Sequence, residues 1–86
     1  MKIGIVANPH LKGLNEFLRR AKAALDGHEI FLEECIAAKQ PKSSMKLKDF
    51  DVDAIVTIGG DGTVLYTLQN IPKQVPLLSV RAGLLG

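Results

Sequence analysis

The residue with the clearest chemical potential is Asp61. It stands among three glycines in "IVTIGGDGTVLYTLQN", residues 55–70, where an apolar run stops and a helix-like pattern begins at once. Glycine takes φ > 0 at little cost and lets a ligand or a second backbone come close. Gly59, Gly60 and Gly62 therefore permit a sharp turn at the carboxyl end of a strand. A helix that starts there presents unpaired N–H groups and the positive end of its dipole, which together suit phosphate.

A pure phosphate cradle would avoid a carboxylate, because like charges repel. Asp61 makes sense in one if it has a separate chemical role. It could accept a hydrogen bond from a hydroxyl that attacks a phosphoryl group, or help to hold Mg²⁺. Catalysis of phosphoryl transfer is mostly positioning and charge stabilisation, with an acceptor orienting the nucleophile. Thr63 can cap the helix or place its hydroxyl on a phosphate oxygen. The competing reading is structural. Gly-Asp-Gly is good turn chemistry, and Asp61 or Thr63 can be an ordinary N-cap. Five consecutive residues of this kind at a strand-to-helix junction favour phosphate handling. Two other phosphate motifs are absent: there is no G-x-x-x-x-G-K-[ST], and Leu65 stands where G-x-G-x-x-G needs its last glycine.

Positioning this loop requires a sheet. Residues 2–7 read as a buried strand stopped by Asn8 and Pro9. Residues 14–26 read as an amphipathic helix with Leu14, Phe17, Leu18, Ala21 and Leu25 on one side, closed by Gly27. A second strand is expected at 28–32, a third at 53–59, a short helix at 63–70 and a fourth strand at 76–80. Between them, a short helix near Glu34 to Lys39 and an exposed polar connection through "KQPKSSMKLKD" are expected. The alternation predicts an α/β fold: a parallel sheet of about four strands with flanking helices, one domain over residues 1–86. If the first and third strands are neighbours, the ligand crevice lies between Asn8-Pro9 and Gly59-Gly60.

Other residues carry less. Asn8 is either a ligand contact at the end of the first strand or a turn former. His10 and His28 read as loop and strand-start residues, and no second His or Cys stands at zinc-ligand spacing. Cys35 reads as a small packed residue. Lys39, Lys42, Lys46 and Lys48 read as a solvated connection rather than a steering patch.

Composition narrows the class. At 47% apolar, the 86 residues have enough for a core. A domain this short buries only about 60% of its unfolded surface, so it is expected to be marginal alone. The net charge of +2 is too small and too dispersed for a nucleic-acid partner, and the few aromatics offer no stacking platform. No run is long enough for a membrane span, and the N-terminus reads as a strand rather than a signal segment. One cysteine fits a reducing, cytoplasmic compartment.

The Gly-Gly-Asp-Gly stretch resembles the motif of the NAD kinases, and is also similar to that of diacylglycerol and sphingosine kinases and of 6-phosphofructokinases. The segment "VPLLSVRAGLLG" tilts the choice. It looks like the NAD kinase Asn-x-Gly-x-x-Gly segment, with Gly83 and Gly86 matching its glycines and Arg81 standing where many members have Asn. The opening "KIGIVANPH" also fits that family better than the lipid kinases.

The resemblance implies a Rossmann-like, phosphofructokinase-like N-terminal domain that lacks the family's mainly-β second domain. It implies phosphorylation of the 2′-hydroxyl of the adenosine ribose of NAD, with ATP or polyphosphate as donor and Mg²⁺ or another divalent cation. Asp61 would be the proton acceptor. Asp61 and Gly62 would touch NAD, and Gly59, Gly60 and Thr63 would line the donor phosphates. Tyr66, one helical turn past Gly62, is a further candidate, with core packing or plain exposure as the competing reading. The fragment is expected to be inactive alone and the full-length protein to form a homo-oligomer. The rival expectations are a lipid-kinase or phosphofructokinase-like domain, and a small non-catalytic nucleotide-binding module.

Overall fold

In the computed structural model, which describes residues 1–34, 36 and 44–80, the run "KIGIVA" forms β1 (Lys2–Ala7). Five of its six residues are buried, as expected of a central strand covered on both faces. α1 (Leu14–Ala24) follows, then β2 (Glu29–Glu33), β3 (Ser44–Met45), β4 (Ala54–Ile58), α2 (Asp61–Asn70) and β5 (Leu77–Val80). The strands lie in the order β3-β2-β1-β4-β5, and every pairing is parallel. The α/β class and the parallel sheet are those expected, with the two-residue β3 added at one edge.

Each face of the sheet has its own core. On one, Ile3, Ile5, Ala7, Leu32, Val56 and Ile58 pack with Leu18 of α1, and Leu14, Phe17, Ala21 and Leu25 complete the apolar side of that helix. On the other, Val6 and Ile55 pack with Leu47, Phe50 and Val52. α2 crosses this second face, where it meets β1, β4 and the 3-10 turn at Leu47–Asp49. Its Thr67 is fully buried there. Phe50 lies so close over β1 that a Cβ on Gly4 would be 2.6 Å from its ring, so a glycine is needed at that position.

Residues 44–52 correct the sequence reading. Where an exposed polar connection over 39–49 is expected, Ser44–Met45 form an edge strand and Leu47–Asp49 a 3-10 turn whose Leu47 is buried, and the following Phe50 and Val52 are buried as well. The expected helix near 34–39, together with Cys35, Lys39 and Lys42, lies outside the described residues except at Glu34 and Ile36. Glu34 is assigned to a turn and Ile36 is buried. Among the described residues no helix is long and apolar enough to cross a membrane.

Candidate active site

The site forms where the chain diverges from the middle of the sheet. β1 and β4 are neighbours, with Ala7 opposite Ile58. The connection leaving β1 leads through α1 on one face, and that leaving β4 leads through α2 on the other. The crevice between two such strand ends is the switch point at which open parallel sheets take ligands. Two backbone bonds hold its rim level. The Asn8 N–H donates to the Ile58 carbonyl at 3.2 Å, and the Gly59 N–H donates to the Val80 carbonyl at 3.0 Å.

Gly59 has φ +147°, a conformation that side-chain-bearing residues rarely adopt. A Cβ there would lie 2.7 Å from Thr63 Oγ1 and 3.7 Å from Asn8 Cβ. Gly59 is therefore the tight point of the turn, closely bordered by Thr63 and Asn8. Gly60 is extended, with φ −115° and ψ −164°, and is the N-cap. Its carbonyl accepts from the N–H groups of Thr63 (3.1 Å) and Val64 (3.5 Å).

α2 consequently starts at Asp61, two residues before the sequence pattern placed it. Asp61 and Gly62 belong to the first helical turn rather than to the loop. Neither Asp61 nor Thr63 is the N-cap, and no side chain caps this helix. Asp61 is exposed at the positive end of the helix dipole, a favourable place for an acid. Among the described residues, a Cβ on Gly60 or on Gly62 would meet no neighbouring atom within 4 Å. Thr63 Oγ1 makes no hydrogen bond among the described residues, while the Thr63 carbonyl accepts from Thr67 Oγ1 at 2.8 Å. That bond ties the first turn of α2 to its buried second turn.

Tyr66 is 42% exposed and stands apart from both cores. Its carbonyl accepts from Asn70 Nδ2 at 2.7 Å. His10, His28, Lys46 and Lys48 are all exposed. Arg81, Gly83 and Gly86 lie outside the described residues. Among the described residues no group of three or more His, Cys, Asp or Glu side chains is placed to hold a metal ion.

Sequence reasoning passed over Thr57. It is 1% exposed, two residues before Gly59, and its Oγ1 has no hydrogen-bond partner among the described residues. The signal was a lone polar residue inside the apolar run "AIVTIG".

A parallel sheet whose switch point carries a glycine-bracketed acid at a helix start defines a Rossmann-like, phosphofructokinase-like α/β domain. Comparison with known proteins narrows this class. The family model described as "ATP-NAD kinase N-terminal domain" matches residues 33–86. An NAD kinase of Methanocorpusculum labreanum is 37% identical over 89 aligned positions, covering 100% of this chain and 33% of the relative. An NAD kinase of Thermococcus sibiricus is 38% identical over 95, again covering 100% and 33%. One of Methanoculleus marisnigri is 42% identical over 60, covering 70% of this chain and 22% of the relative. The chain belongs to the NAD kinase family. It spans a third or less of the length of these curated relatives.

Proposed function

We propose that this chain supplies the phosphate-binding and hydroxyl-orienting part of an NAD kinase, which transfers a phosphoryl group from ATP or polyphosphate to the 2′-hydroxyl of the adenosine ribose of NAD. The observation that carries this reading is the placement of Asp61. It opens α2 at the β1–β4 switch point, between two glycines whose missing side chains leave space for a ligand.

The family resemblance supplies the roles, and that geometry supports them. The glycines admit phosphate oxygens to the start of α2, where the first-turn N–H groups and the helix dipole attract them. Gly59, Gly60 and Thr63 line the donor phosphates, and Asp61 and Gly62 border the acceptor ribose. The ribose 2′-oxygen bonds to the terminal phosphorus as the bond from that phosphorus to the bridging oxygen breaks. ADP leaves when ATP is the donor, and the 2′-hydroxyl proton passes to the Asp61 carboxylate.

Mg²⁺ is commonly held by one or two carboxylates together with substrate phosphates. One exposed carboxylate beside a phosphate site fits that pattern, with Asp61 as the protein group. The metal would supply charge neutralisation on the transferred phosphate. Tyr66 is exposed one turn beyond Gly62, and in this proposal it is a further residue at the edge of the same site.

The test uses the full-length protein with ATP or polyphosphate, and offers NAD, diacylglycerol, a sphingoid base and fructose 6-phosphate as acceptors. NADP formation with no turnover of the other three supports the reading. Turnover of a lipid or sugar without NADP formation overturns it.

A further inference from the structure

We propose that Asn8 is a second ligand-contacting residue of this crevice, its side-chain amide donating from Nδ2 to a phosphate oxygen of a nucleotide diphosphate group seated on the Gly59–Gly62 loop. The inference rests on the proposed function and adds the β1 side of the crevice to it.

Three observations carry it. First, Asn8 directly follows β1, and its backbone N–H donates to Ile58 in β4, so it faces the loop across the switch point. Second, the position of a Cβ on Gly59 is 3.7 Å from Asn8 Cβ, so nothing intervenes between the Asn8 side chain and the tight point of the turn. Third, the amide is already oriented. Its Oδ1 accepts from the His10 N–H at 2.9 Å, and the Asn8 carbonyl accepts from the Leu11 N–H at 3.1 Å.

Because a backbone N–H needs an acceptor, that bond assigns the oxygen and leaves Nδ2 as the remaining donor of the side chain. Nδ2 has no acceptor among the described residues. Pro9 fixes its own φ and restricts the residue before it, which stiffens the arrangement. A neutral donor beside Gly59, with the Thr63 hydroxyl that has no partner among the described residues beside the same glycine, suits an anionic oxygen.

A turn-forming role and a donor role separate by substitution. Asn8→Asp keeps an oxygen for the His10 N–H and so keeps the turn, but replaces the donor with a charge that repels phosphate. Asn8→Ser also supports the turn and retains a shorter donor. In the full-length protein, titrations with ATP and with NAD should show affinity falling in the order wild type, Asn8→Ser, Asn8→Asp. The Asn8→Asp loss should be about tenfold or more, with an unchanged melting temperature. The nucleotide whose affinity falls identifies the source of the contacted phosphate.

Asn8→Asp and Asn8→Ser binding both nucleotides within about twofold of wild type would overturn the inference and leave the proposed function standing. If Asn8→Asp does not fold, Asn8→Ser with unaltered affinity overturns it. A wild-type protein that binds neither nucleotide removes the proposed function and this inference together.

Discussion

Thr63 Oγ1 occupies the space that a side chain on Gly59 would need: a Cβ there would be 2.7 Å from it, at a φ of +147°. Thr63 is held in turn through its carbonyl by Thr67, which is fully buried against the sheet. The tight point of the loop is thus fixed from the interior of the domain. Gly59→Ala should cost about 2 kcal/mol or more, since it adds both backbone strain and a close contact.

Gly62→Ala makes the opposite prediction for stability. Gly62 lies within α2, and a Cβ there meets no neighbour within 4 Å among the described residues. Replacing a helical glycine with alanine stabilises by up to about 1 kcal/mol. Nucleotide affinity should nevertheless fall, because the added methyl enters the space left for the ligand. Denaturant unfolding of both variants, with a nucleotide titration of the second, checks the pair. A Gly62→Ala protein of unchanged affinity would show that no ligand approaches that glycine.

Thr57 gives a separate test of the floor beneath the loop. Its buried hydroxyl has no partner among the described residues, and a buried hydroxyl left without one carries its desolvation cost uncompensated. Thr57→Val keeps the shape and removes the polar atom, and should raise unfolding free energy by about 1–2 kcal/mol. A fall instead would mean that an ordered water satisfies this hydroxyl.

The pH dependence predicted from α1 is small and has a definite sign. Glu16 accepts hydrogen bonds from Arg19 and Arg20, which hold its carboxyl below its ordinary value. A depressed value in the folded state means stabilisation that is present above the unfolded value and is lost as pH falls through the folded one. The melting-temperature gap between the wild type and Glu16→Gln should therefore close on the acid side of the ordinary glutamate range. The three side chains are exposed, so added salt should also narrow that gap. A gap that widened in acid would contradict this assignment.

Particular residues explain which parts of this architecture were legible in advance. β1 and β4 are short, largely β-branched runs ended by turn residues, and α1 has a regular apolar stripe, so local pattern was sufficient for each. The start of α2 was misplaced by two residues because Gly60 and Gly62 read as turn residues, whereas Gly60 caps the helix with extended backbone and Gly62 lies within it. Leu47, Phe50 and Val52 show no strand or helix period, and their burial depends on the distant Val6 and Ile55. Phe50 in particular needs the bare Cα of Gly4, a relationship across 46 positions of sequence. Asn8 was ambiguous for the same reason: its meaning depends on β1 lying beside β4, and no local pattern encodes that.

Asp61 is proposed to receive the hydroxyl proton, and the Asp61→Asn variant of the full-length protein tests this most directly. Asparagine has nearly the same shape as aspartate, so the fold should be kept. Single-turnover formation of NADP should fall by about a hundredfold to ten-thousandfold, the range for loss of a positioned general base. Asp61→Asn turning over at a rate near that of the wild type would contradict the account.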